Sequence, residues 1–331
     1  KATLSLVAYS TPQVVYDEVI PAFQKTSAGS GVGFKTSFGA SGDQSRAVEA
    51  GLPADVVSFS IEPDMQRLVD AKLVSPTWAD TPTDGLVTTS VVSFIVRKGN
   101  PKNIKTWNDL LKPGIQVLTP NPFTSGAAKW NLLAAYGQAS GGGKNEQAGL
   151  DYVRMLLKNN VKVQDKSARE ALQNFTSGNG DVLLSYENEA VTAQKKGQDV
   201  DYVIPDDTIR IEIPIAVTKT SKNAAAAQSY VDYLRSDAAQ QVFADWGYRP
   251  VNAAVLKANA SKFRDNWTTS KSQAGSRHRL PFRVRQVLLT DAFSVRRRAI
   301  PGMNPSANDP LSRRPQKSRR RILSTDAYQP R

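Results

Sequence analysis

Along residues 1–263 the apolar positions keep two periods in turn. One is two residues in short runs, the other about 3.6 residues in longer ones, the marks of half-buried strands and of amphipathic helices. Residues 4–9 (LSLVAY), 32–37 and 54–60 (ADVVSFS) read as strands, and residues 13–25, 43–49 and 62–71 as the helices that follow them. Gly51 closes the second helix at a place suited to a left-handed cap. Strands and helices repeating in this order imply a parallel sheet with crossover helices. Residues 91–97 (VVSFIVR) then break the rhythm with a nearly continuous apolar strand.

A second alternation follows. Residues 114–118, 161–164 and 181–186 read as strands, and residues 126–136, 145–157 and 168–176 as helices. Residues 209–218 (IRIEIPIAVT) form another extended stretch, the natural mate of 91–97, and 224–245 is helical by its alanine content and apolar spacing. The economical architecture is α/β with two lobes joined by two extended strands and a ligand cleft between them. Residues 1–90 and 208–263 make one lobe, and residues 91–207 the other.

Composition narrows the chemistry. The 331 residues contain no cysteine, which excludes disulfides, thiolate nucleophiles and Cys-ligated metals. The single histidine, His278, removes His-rich metal sites and argues against a Ser–His catalytic unit. No run approaches the ~18 apolar residues that span a membrane. A chain starting at Lys1 without Met suggests that an export segment or a tag has been removed. The formal net charge of +13 is local: residues 264–331 carry 14 Arg and 2 Lys against 4 Asp, whereas residues 1–263 are nearly neutral. This segment reads either as a polybasic arm for nucleic acid or as an extension outside the fold, such as an altered reading frame would produce. No aromatic alternates with its arginines, so nucleic acid is not the expected partner.

Three candidate helix starts follow strands with small residues and hydroxyls: GASGDQSR at 39–46, TSGAAKW at 124–130 and SARE at 167–170. Ser41 with Gln44, and Ser167 with Glu170, stand at capping-box spacing. At Gly126 and Ala127 no side chain hinders approach to the amides. A helix N-terminus offers unpaired N–H donors and about half a positive charge, a ready anion site, and open α/β sheets bind ligands where such helices begin.

With these motifs the sequence resembles the sulfate-binding proteins that serve ABC-type importers. The likeness rests on GASGDQSRAV at 39–48, ADVV at 54–57, VRKGNP at 96–101, NPFTSGA at 121–127 with Ala128, GDVL at 180–183 and YENEA at 186–190, in family order. The resemblance implies the type II periplasmic-binding fold, with two lobes hinged by extended strands. It implies a receptor outside the cytoplasmic membrane, with no catalysis and no cofactor, working as a monomer that passes sulfate to a membrane permease. A lipid anchor through an upstream cysteine is compatible with it. Carried over by position, the sulfate-binding residues fall on Ser41, with its neighbour Gly42, and on Ser125, Gly126, Ala127, Ala168, Tyr186 and Ser10, with Arg169 and Thr11 in support. Three depart from the family pattern: Ala127 replaces a glycine, Ser10 an aspartate and Tyr186 a tryptophan. The last change exchanges a donor-only N–H for a hydroxyl that donates or accepts.

Desolvating a dianion costs on the order of tens of kcal/mol. One charge-assisted hydrogen bond returns about 1.5–3 kcal/mol, so about five to seven donors from both lobes must converge. A donor-only site then disfavours hydrogen phosphate, whose O–H finds no acceptor, by about 1–3 kcal/mol or roughly 5–150-fold. Asp43 is the one nearby acid that could supply an acceptor, and reads as an exposed first-turn residue. Arg169 reads as a carboxylate's partner that positions Ala168. Glu187 and Glu189 read as the start of a solvent-facing or lobe-contacting segment rather than a catalytic pair, and Lys35 and Lys129 as surface charges. Trp78, Trp107 and Trp246 read as packing residues. Other readings remain: the same fold for thiosulfate, molybdate or phosphate; a ferric-iron receptor using Tyr9, Tyr186 and carboxylates; or a nucleic-acid binder acting through residues 264–331.

Overall fold

A computed structural model describes residues 2–264 and 268–269. His278 and the arginine clusters of the basic segment lie outside the described residues.

The first alternation forms β1 (Thr3–Tyr9), α1 (Gln13–Gln24), β2 (Gly33–Gly39), α2 (Ser41–Glu49), β3 (Val56–Ser58) and α3 (Glu62–Asp70). Strand β1 lies between β2 and β3 and is parallel to both, as the strand–helix order requires. Gly51 ends the α2 turn at φ +107°, a conformation that costs glycine little. The next strand, β4, covers Leu86–Arg97, five residues more than the apolar run predicts. Then come β5 (Val117–Leu118), α4 (Gly126–Ala139), α5 (Glu146–Met155), β6 (Val161–Val163), α6 (Ala168–Thr176), β7 (Val182–Tyr186) and α7 (Glu187–Lys195). Short strands β8 (Val200–Val203) and β9 (Asp207–Thr208) precede β10 (Arg210–Val217). The region 224–245 is two helices, α8 (Ala224–Leu234) and α9 (Asp237–Asp245), separated where the Ser236 side chain caps α9 by accepting from the Ala239 amide. Strand β11 is Arg249–Pro250.

The sheet runs β2-β1-β3-β10-β4-β7-β5-β6. Its joint is β4. The half Leu86–Val91 pairs antiparallel with β10, while Val92–Val96 pairs antiparallel with β7. Strand β10 in turn reaches β3 through Ile215–Val217. These are the two extended strands that connect the lobes. One lobe packs Phe23, Phe34 and Tyr230 edge to face at 4.8–6.2 Å between ring centroids, and the other packs Phe94 on Trp107 at 4.9 Å. Each of the three predicted helix starts follows the C-terminal end of a parallel strand, which places α2, α4 and α6 where an α/β sheet binds ligands.

Candidate functional site

The α4 start is a capped turn. Ser125 is extended (φ −102°, ψ 124°) and its hydroxyl accepts from the Ala128 amide at 3.4 Å. Gly126 and Ala127 are then the first two helical residues, whose amides have no acceptor inside the helix, and both residues are buried. Gly126 lies so close to Ser60 that a Cβ there would come within 2.0 Å of the Ser60 hydroxyl oxygen. The α6 start repeats the design: Ser167 accepts from the Glu170 amide at 3.1 Å, leaving the amide of buried Ala168 without an intrahelical acceptor. Only the serine half of the predicted capping box forms, because Glu170 accepts from the Lys166 amide instead, at 3.2 Å.

Ser41 is not the cap of α2. Ala40 holds that position in an extended conformation, and Ser41 is already helical. Its side chain therefore points across the lobe: Oγ donates to Asp64 Oδ2 at 2.7 Å and accepts from the Ser60 amide at 3.0 Å. Gln44 bonds Ser37 rather than closing a box. The amide of Gly42 donates to the Thr124 carbonyl at 2.8 Å, a bond from α2 to the loop before α4.

Further bonds bring the remaining loops together. The Trp130 indole donates to the Ser60 carbonyl at 2.6 Å, tying α4 to the loop after β3. The α4 and α6 loops are tied by Thr124 Oγ1 donating to the Lys166 carbonyl at 2.6 Å and by the Asn121 amide donating to the Asp165 carbonyl at 2.7 Å. Arg169 donates to the Thr11 carbonyl at 2.7 Å, fixing the start of α6 against the loop after β1, where Ser10 is half-buried and Thr11 fully buried. Tyr248 donates to Thr11 Oγ1 at 3.1 Å. Tyr186 is fully buried at the end of β7, and its hydroxyl faces that of Ser60 without closing an aligned bond. Ser41, Gly42, Ser125, Gly126, Ala127 and Tyr186 thus gather around Ser60, while Ser10, Thr11, Ala168 and Arg169 gather around the β1–α1 loop.

Charge at the site is cancelled in place. Arg169 pairs with Glu189 at 2.9 Å, as its reading as a positioning residue requires. Glu187 and Glu189 are 1% and 0% exposed, so the solvent-facing alternative is wrong. They are buried because each has a guanidinium partner, Arg249 at 2.8 Å for Glu187 and Arg169 for Glu189. Burial raises the Glu189 carboxyl above its ordinary range, and Arg169 draws it back. Lys129 is not a surface charge either: its ammonium sits 3.2 Å from Asp64 Oδ1, a carboxylate 1% exposed in α3. Its charge is taken up by Asp64 and not held for a ligand. Asp43 lies in the first turn of α2, as read, and pairs with Arg46 and with Lys166 at 3.4 Å. Burial pushes the Tyr9 and Tyr186 hydroxyls far above the ordinary phenol value, which keeps them neutral. Among the described residues no group of three or more His, Cys, Asp or Glu is placed to hold a metal.

Sequence reasoning missed Ser60 and Asp64 and misread Lys129. The available signal for Ser60 was its place just after β3, where a ligand-facing loop begins. Asp64 and Lys129 gave no local signal.

Buried amides at helix starts, neutral hydroxyls and cancelled cations, on loops that follow the strands of an α/β sheet, are the features of a receptor for a small solute. The chain belongs to the bacterial extracellular solute-binding proteins, whose family model matches residues 4–249. It is a binding protein and not an enzyme, and it acts outside the cytoplasm. It is 43% identical over 255 residues to a sulfate-binding protein of Synechococcus elongatus, covering 75% of this chain and 73% of that one. Over 274 residues it is 36% identical to a thiosulfate-binding protein of Escherichia coli K12, covering 77% and 80%. Among solved structures, the sulfate-binding protein SubI from Mycobacterium tuberculosis H37Rv superposes with a TM-score of 0.80 at 47% identity, covering 83% of this chain and 98% of that one. The type II fold is shared more widely, as with the spermidine/putrescine-binding protein PotD of Streptococcus pneumoniae at 13% identity and a TM-score of 0.65. No helix among the described residues is long and apolar enough to cross a membrane.

Proposed function

We propose that this receptor captures sulfate between a lobe of residues 1–90 and 208–263 and a lobe of residues 91–207, and delivers it to an ABC-type membrane permease. The amides of Gly126, Ala127 and Ala168 and the hydroxyl of Tyr186 donate to the anion, with Ser10, Ser41, Gly42 and Ser125 in the loops that frame it; the one hydroxyl hydrogen of Ser41 goes to Asp64, so its expected role as a donor to sulfate is not kept. Thr11 and Arg169 hold the third helix start in place.

The observation that supports this reading is that the first amides of α4 and α6 are buried without an intrahelical acceptor, while Lys129 and Arg169 nearby are each paired with a carboxylate. Such a place suits an anion that needs hydrogen bonds from several directions and no counter-charge. The ligand names of the 36–47% identical relatives agree with it. Neither lobe alone has donors enough, so binding and closure are one event. Thiosulfate, also a fully deprotonated dianion, makes the same demands.

Native mass spectrometry of the purified chain, followed by calorimetry with sulfate at neutral pH, tests the reading. One sulfate per chain is expected. A protein that neither retains sulfate nor gives heat on sulfate addition refutes it.

A further inference from the structure

Two hydroxyls at the site stand out because nothing in the fold uses them. Ser60 is 1% exposed and Tyr186 is fully buried; their hydroxyls approach each other without an aligned bond, and neither has a hydrogen-bond partner outside the pair. They come from opposite lobes, face each other, and adjoin the first amide of α4, since Ser60 lies directly against Gly126. Buried hydroxyls without partners are disfavoured, and two of them meeting at an unpaired helix start point to a ligand as the missing partner.

A hydroxyl differs from an amide in one respect that matters here. It can donate, and it can accept. Of the carboxylates close by, Asp64 accepts from Ser41 and Lys129, and Glu189 is paired with Arg169 through Oε1 while its Oε2 has no hydrogen-bond partner. Against Gly126 itself, the side chain that can accept from a ligand is Ser60, with the Tyr186 hydroxyl facing it.

We propose that Ser60 and Tyr186 form a ligand-contacting hydroxyl pair that sets specificity by admitting a tetrahedral oxyanion carrying one proton, with hydrogen phosphate as the simplest case. This rests on the reading of the site as a sulfate receptor and extends it. With sulfate, both hydroxyls turn their hydrogens toward the anion. With hydrogen phosphate, one hydroxyl accepts the ligand O–H and directs its own hydrogen to the other hydroxyl or to a second ligand oxygen. No group is left unsatisfied, so the discrimination of a donor-only site largely disappears.

The test is calorimetry with sulfate and with inorganic phosphate at mildly alkaline pH, on the wild-type chain, on Ser60→Ala, on Tyr186→Phe and on the double variant. The wild-type chain is expected to bind phosphate within about tenfold of sulfate. In the double variant the gap is expected to widen to about a hundredfold, as for an unpaired buried O–H, while sulfate weakens by about tenfold or less. Because neither hydroxyl has a partner outside the pair, the double variant leaves no orphaned group and its thermal midpoint without ligand stays close to the wild-type value, which separates specificity from folding. Wild-type exclusion of phosphate by more than about a hundredfold overturns the proposal, as does a ratio unchanged in the double variant, the outcome expected if Glu189 supplies the acceptor. Failure of the wild-type chain to bind sulfate at all would instead remove the underlying reading, and the proposal with it.

Discussion

Replacing Gly126 with alanine separates closure from folding, because the atoms the new methyl would meet belong to the other lobe. An ideal Cβ at this position stands 2.0 Å from Ser60 Oγ, 3.0 Å from Ile61 Cγ2 and 3.3 Å from Ser60 Cβ. Turning the Ser60 side chain relieves the first overlap. The other two remain, and they require the β3–α3 loop to withdraw by a few tenths of an ångström. Overpacking of this size costs about 1–3 kcal/mol. The better helix propensity of alanine returns up to about 1 kcal/mol, but it does so in open and closed states alike. Opening the lobes removes the clash, so its cost falls on the closed, ligand-holding state. Sulfate affinity should therefore drop roughly 5–150-fold, while the urea midpoint of the ligand-free protein stays level or rises slightly. Calorimetry with sulfate and urea unfolding without it read the two quantities. An affinity within twofold of wild type, or a clear loss of ligand-free stability with affinity intact, would show that Gly126 and Ser60 do not meet through closure.

Lys129→Ala leaves the buried Asp64 carboxylate without its cation across the lobe boundary, a loss of about 3 kcal/mol. Sulfate affinity is expected to fall by more than tenfold in calorimetry, and adding Asp64→Asn should recover most of it; no recovery would mean that Lys129 acts on the anion directly. For Glu189 the folded-state carboxyl is raised above 4.5 by burial, which outweighs the opposing pull of Arg169. A raised carboxyl penalises the folded state at neutral pH, and the penalty fades as pH falls through the folded value. The unfolding free energy of the wild-type chain, measured against Glu189→Gln, should therefore improve as pH is lowered from neutral toward 4.5, and a pH-independent difference refutes the assignment.

The elements were legible because their causes are local. The run at 168–176 matches α6 to the residue, and the parallel order of β1, β2 and β3 follows from strand–helix alternation. The early part of β4 was not legible. Thr88, Thr89 and Ser90 look like loop residues, yet Thr88 and Ser90 are fully buried, because Thr88 donates to the Arg249 carbonyl at 2.9 Å and Ser90 to Asn188 at 2.8 Å. Those partners stand 161 and 98 positions away.

The same division holds at the site. Residue order alone marked three helix starts rich in small residues and hydroxyls, since caps and free amides depend on neighbours within a turn. It could not tell that Ser41 turns away from its own helix toward Asp64, that Glu189 is buried and Lys129 half-buried in ion pairs with partners distant in sequence, or that Ser60 meets Tyr186. Each of those facts depends on a partner brought near by packing, and the partner decides whether a polar side chain is solvated, neutralised or left for a ligand.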